Sequence, residues 1–172
     1  MIIDPRIEDQ VRTMLGQAIR GELDELDKMI DTVGDEAYAV GIEYCVLAAA
    51  YIAVDLSERW PTGTDIREIA RHSASSSTDY ELREQDVYDY ISRLALGGEP
   101  ITDVFPGDDV DAKLPVLITA QMLVGFSRPQ RMGMWEYLDT IWNALNTAER
   151  ADMSLLPALL IRQKRIQAAT KR

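Results

Sequence analysis

One cysteine and one histidine are the scarcest chemistry-bearing residues in this chain. A lone cysteine excludes an internal disulfide framework, and the two together leave almost no ligand set for zinc. The histidine, His72, has Ile69 three positions before it, so the Glu-x-x-His pairs of a helical dimetal site are missing. The acidic stretch with Asp103, Asp108, Asp109 and Asp111 offers hard oxygen ligands, but not the spaced acids, sixth-position glycine and twelfth-position glutamate of a calcium-binding loop. Solvated loop acids, one of them capping the next helix, are the expectation there. No metal and no cofactor is expected.

Glycine-rich phosphate loops and the G-x-S-x-G turn of hydrolases are also missing. Cys45 sits in an apolar stretch, where a thiol stays protonated and inert. Nothing in the sequence places His72 beside it as a base. The two acids set against apolar sequence, Glu43 and Asp55, are twelve residues apart at the ends of one run. They are expected to be solubilising charges, and either one, if buried, is expected to pair with an arginine. Enzymatic function is therefore not favoured.

Long hydrophobic runs are lacking too. The longest, residues 44–54, holds 11 residues, whereas a membrane span needs about 20. The first ten residues carry acids where a secretory signal carries bases. The expectation is a cytoplasmic protein without a membrane span.

What the chain does have is helical periodicity. Its 172 residues are 47% hydrophobic and 27% charged, enough for one domain with a sizeable core. Apolar residues recur at Ile7, Val11, Leu15, Ile19, Leu23, Leu26, Ile30 and Val33 in steps of three or four. Asp4-Pro5 is a start signal and Gly34 a stop, which predicts one helix of about 28 residues, some 40 Å long. Its 4-3 spacing from Ile19 to Val33 also suits a seam with a second subunit.

A second helix is expected over residues 35–58, apolar all round and therefore the surrounded central helix. Trp60-Pro61 ends it. Further helices are expected over residues 65–72, from a capping-box spacing at Asp65 and Glu68, and from Thr78 to the Gly97-Gly98 pair. The latter has core positions Val87, Ile91 and Leu94. Residues 97–111 read as an ordered loop pinned by Ile101, Val104 and Phe105, with a binding or lid role open to it. Helices over residues 114–126, 130–149 and 155–169 follow. No run shows sustained apolar/polar alternation and no Asn-Gly or Asp-Gly hairpin turn occurs. The expected fold is all-α: a single-domain helical bundle of about seven helices over residues 1–172, with one apolar central helix and a candidate sub-boundary at 97–113.

The net charge of -11 is unevenly spread. Residues 1–111 hold 25 acids and 9 bases; residues 112–172 hold 4 acids and 9 bases. The last eleven residues gather Arg162, Lys164, Arg165, Lys171 and Arg172. Cations at a helix C-terminus complement its dipole. A basic tail can also dock on the protein's own acidic surface, or on that of another copy or partner, and these self-complementary arrangements are favoured over nucleic acid or membrane.

Trp135 and Trp142 lie seven apart on one helical face, with Met132 and Met134 beside them. Such a face is most often core, and it also suits an adaptable binding surface. Residues 64–98 have a generic helix-turn-helix look, but their connection is long and their seven acids outnumber four bases.

The function favoured is a non-enzymatic interaction or adaptor protein that self-associates or binds another protein. Its partner-binding residues would be Trp135, Trp142, Met132, Arg162, Lys164, Arg165, Lys171 and Arg172. The alternatives are a DNA-binding regulator acting through residues 64–98, and a small-molecule binder with a pocket within residues 97–149.

Overall fold

The structure, a computed structural model, describes residues 4–76, 80–105, 112–127 and 133–150, with backbone alone at 127 and 148–150. Among the described residues every regular element is helical. They are α1 (Pro5–Ile19), α2 (Leu23–Val33), α3 (Asp35–Ser57), α4 (Gly63–Ser76), α5 (Glu84–Asp89), the short α6 (Ile101–Val104), α7 (Leu114–Ser127) and α8 (Met134–Arg150). A π-helical turn, Tyr90–Ala95, continues α5 without a break. The all-α expectation holds.

The start of α1 follows its sequence signal. The Asp4 carboxylate accepts the Arg6 N–H at 2.8 Å, and Pro5 occupies the first turn. The Asp4 N–H donates to the Tyr44 hydroxyl at 2.9 Å, which ties the cap to α3.

The single helix expected to run on to Gly34 is instead two. Gly21 adopts φ +70°, its N–H donates to Ala18 O at 3.2 Å, and the Glu22 N–H donates to Gln17 O at 3.0 Å. This pair of bonds is the Schellman ending, with glycine in the left-handed position it favours. The apolar stripe hid the break, because Val11, Leu15 and Leu26 are fully buried and Ile7, Ile19, Leu23 and Ile30 are half-buried across both helices. The chain bends while its apolar face stays inward. A continuous seam from Ile19 to Val33 is therefore interrupted.

Other boundaries shift for local reasons. Helix α3 matches its expected range to one residue, ending at Ser57 because Glu58 turns left-handed at φ +54°. Helix α4 is longer than expected at both ends. Its capping box is Thr62 with Asp65 rather than Asp65 with Glu68: the Thr62 N–H donates to Asp65 Oδ2 at 2.8 Å, and the Asp65 N–H donates to Thr62 Oγ1 at 3.3 Å. These bonds to Thr62, led by the backbone one, hold the Asp65 carboxyl below its usual range. Ser73, just past the expected end at residue 72, is buried in α4. Helix α5 begins at Glu84 rather than at Thr78, which lies outside the described residues, as does the helix expected over 155–169. The loop at 97–105 is pinned as expected: Val104 is 4% exposed, and Ile101 and Phe105 are half-buried.

The apolar helix α3 is central as expected, and α7 shares the core with it. Helix α3 packs against α1, α8 and the π turn, while α7 packs against α1, α3, α4 and α8. Ala48, Ala49, Ala50 and Ala53 are almost fully buried and let neighbours come close. At Gly41 an added Cβ would lie 3.3 Å from Val11 Cγ2, so α1 approaches the α3 backbone directly. Between α3, α7 and the π turn, the Tyr90 hydroxyl meets Thr119 Oγ1 at 3.1 Å, and Thr119 in turn donates to Cys45 O at 3.3 Å. These two buried hydroxyls thus find partners within the core.

By length and composition alone α3, 23 residues long with an 18-residue window of mean hydropathy 1.7, could cross a membrane. The 11-residue run read from the sequence understated it. In this fold 56% of that window is buried among other helices.

Candidate interaction surface

Helix α3 is apolar around its whole circumference, yet its neighbours do not cover all of it. Tyr44, Cys45, Ala48, Ala49 and Ile52 face inward and are buried. Tyr38, Ile42 and Val46, at helical i, i+4 spacing, are only half-buried, and Ala39 and Glu43 are exposed. Together with Leu47 they form one wall of a groove. Leu94, Gly98, Glu99 and Ile101 form the other, and the cavity between them measures about 640 Å³.

The second wall depends on the π turn. Its wide register brings the Leu96 N–H to Ile91 O at 3.0 Å. It closes with the Gly98 N–H on Leu94 O at 3.1 Å and the Glu99 N–H on Arg93 O at 2.9 Å, Gly98 lying at φ +70°. A Cβ on Gly97 would fall 2.5 Å from Arg93 O, so the chain can turn there only with glycine. Pro100 then starts α6. Arg93 braces the corner, donating to Glu99 Oε2 at 2.6 Å and to Asp103 O at 3.1 Å. The hydrogen bond from Arg93 holds the Glu99 carboxyl below the usual carboxylate range. The groove therefore has an apolar floor and two acids, Glu43 and Glu99, lining it.

The residues singled out from the sequence fall elsewhere. Trp135 is 38% exposed, with its ring over Gly16 of α1. Trp142 is 3% exposed and packs at 5.9 Å, tilted, against Tyr44. Of the two tryptophans on that face, only the one in the first turn of α8 reaches solvent. Met132, Arg162, Lys164, Arg165, Lys171 and Arg172 lie outside the described residues. The groove lies only partly within the residues 97–149 expected to hold a pocket: Gly98, Glu99 and Ile101 line it, and α3 supplies the other wall.

Cys45 is fully buried, and burial pushes its thiol up to about 12. His72 is exposed on α4, its ring 5.0 Å from that of Phe126. Among the described residues no three His, Cys, Asp or Glu side chains are grouped to hold a metal ion.

Asp55 is half-buried rather than buried, and it accepts a hydrogen bond from the Tyr137 hydroxyl at 2.9 Å, Oδ2 being the acceptor. Burial, reinforced by the Asp55 charge, pushes the Tyr137 phenol far up, and the same two causes raise Tyr51 to about 12. The phenols stay protonated, and the bond fastens α8 to the far end of α3.

In the 64–98 segment all four arginines are engaged within the chain. Arg67 lies 5.1 Å over the Tyr88 ring, Arg71 is 3.9 Å from Glu84, Arg83 is 2.7 Å from Asp86, and Arg93 holds Glu99.

The groove was missed in the sequence because an all-apolar helix reads as fully surrounded. The available signal was Tyr38, Ile42 and Val46 in register with the acid Glu43. Comparison with protein-family models, curated proteins and solved structures finds no match to this chain.

Proposed function

We propose that this chain is a non-enzymatic helical adaptor that binds an amphipathic helix of a protein partner in the groove between α3 and the π turn. The single observation that carries this is the half-buried apolar row Ile42 and Val46 of α3, facing Leu94 and Ile101 across about 640 Å³. Helices bind such grooves through i, i+4 apolar anchors. The exposed Glu43 suits a partner with a basic residue beside its apolar face. A small-molecule site of this volume would draw its specificity from several convergent polar groups, and the lining residues supply few. Self-association belongs to the same proposal, and the exposed Trp135 supports it. DNA binding through 64–98 is disfavoured by the engagement of its arginines within the chain.

The test places a photo-crosslinker at the exposed Ala39 of the full chain in cells, with Glu68 on α4 as the comparison site. Peptide mapping is expected to find a partner helix attached at position 39, lost on Val46→Glu and absent at position 68. A small molecule co-purifying in native mass spectrometry, with no peptide attached at 39, overturns the proposal.

A further inference from the structure

The charge on the groove limits what can fill it. Two acids line it, and they differ. Glu99 is neutralised by Arg93, whose Nη2 lies 2.6 Å from Glu99 Oε2. Glu43 is exposed on α3 and, among the described residues, carries no ion pair or hydrogen bond. A helix that closes over Ile42 and Val46 takes water away from this carboxylate. Desolvating an unpaired charge is costly, and an occupant that brings a cation to Glu43 avoids that cost.

A second copy of the chain fits this condition badly. The α3 wall runs from Tyr38 to Leu47, so its midpoint lies between Ile42 and Glu43. If two such walls pair antiparallel, the two-fold axis passes through that midpoint, and Glu43 lies within about 1.5 Å of it along the helix. If they pair parallel, each residue faces its own copy. Either way two like charges meet as water leaves. The net charge of -11 adds long-range repulsion between copies. The other faces of a second copy have few cations to offer. Of the ten Lys and Arg side chains described, nine are already engaged within the chain, eight with carboxylates and Arg67 with Tyr88.

Length sets the remaining condition. The wall from Tyr38 to Leu47 is about 14 Å long, and apolar anchors at i, i+4 and i+7 of a helix span about 11 Å. A single helix of two to three turns matches it.

We infer that the groove takes a helix from a different protein, one carrying Lys or Arg beside its i, i+4 and i+7 apolar anchors, and that Glu43 is the residue that selects it. This rests on the groove reading above and goes further in naming the partner. It leaves self-association to the Trp135 side, which sits over Gly16 and does not line the groove.

The test selects a library of helices, displayed on a two-helix scaffold, against the full chain with the photo-crosslinker at Ala39. Apolar residues are fixed at i, i+4 and i+7, and the flanking positions are random. Among captured helices, Lys and Arg are expected to outnumber Asp and Glu by about threefold or more at one flanking position. The preference is expected to invert on Glu43→Lys and to vanish on Glu43→Gln, both at an exposed site outside the core. Helices captured at Ala39 with no charge preference, or with one that Glu43→Lys leaves unchanged, overturn the inference while the groove reading stands. So do crosslinks from Ala39 to a second copy, read without peptide in an equal mixture of unlabelled and ¹⁵N-labelled chains. No helix captured at Ala39 overturns the groove reading, and the inference with it.

Discussion

Helices α3 and α7 share one pattern, with no polar face, and differ in fate. Both are apolar around the helix. In α7 every residue from 115 to 123 is buried, because α1, α3, α4 and α8 surround it. In α3 only the face toward α1, α7 and α8 is closed, and the row through Ile42 and Val46 stays half open. Apolar surface removed from water is worth about 25 cal/mol per Å². The first helix realises that gain throughout, and the second leaves part of it for an occupant. All-round hydrophobicity therefore indicates that a helix seeks contacts on every side, not that this part of the fold supplies them.

Truncating the two helices sharpens that contrast most. Ile118→Ala in α7 removes a side chain with no exposure and is expected to cost about 2–5 kcal/mol in urea unfolding. Val46→Ala in the open row is expected to cost under about 1 kcal/mol, since part of the side chain already meets water. Equal losses would mean that the α3 face is as tightly packed as α7.

The next effect is smaller. Gly97→Ala drives a Cβ to 2.5 Å from Arg93 O, where no flexible side chain can yield. A loss of about 1–3 kcal/mol is expected, with the π turn and the second groove wall displaced. Unchanged stability and unchanged amide exchange at Leu94 to Glu99 would show that the wall does not depend on this turn.

The least effect is nil at neutral pH and concerns the α3–α8 contact. Tyr51, Tyr90 and Tyr137 have phenols raised above the ordinary value of about 10, first of all by burial. The folded state holds these protons more tightly than the unfolded one. Stability from this source is complete below about pH 10 and falls as pH rises through the folded values. An alkaline titration read at 295 nm is expected to show these three ionising last, together with loss of helical circular dichroism. Ionisation of all seven tyrosines in one step near pH 10, with the fold intact, would contradict the burial of these hydroxyls.

Much of this was legible beforehand. Asp4-Pro5 marked the start of α1, and Val87, Ile91 and Leu94 were correctly placed in the core. Gly21 did not read as a helix end, because a Schellman turn preserves the apolar phase on both sides. The Thr62–Asp65 box escaped notice because a T-x-x-D spacing overlaps the equally plausible D-x-x-E that begins at Asp65. The groove escaped because one of its walls comes from residues about fifty positions away, and their approach to α3 leaves no mark on local spacing.

The sequence by itself determined that the chain is helical and which residues avoid water, since a three-to-four-residue period puts apolar side chains on one face. It also determined that acids and bases are unevenly divided along the chain. Only the tertiary structure decided which face of α3 stayed open, that Trp142 is enclosed while Trp135 meets solvent, and that Asp55 binds a tyrosine. Those outcomes depend on how whole helices pack against one another, and packing is a property of distances in space that no local pattern encodes.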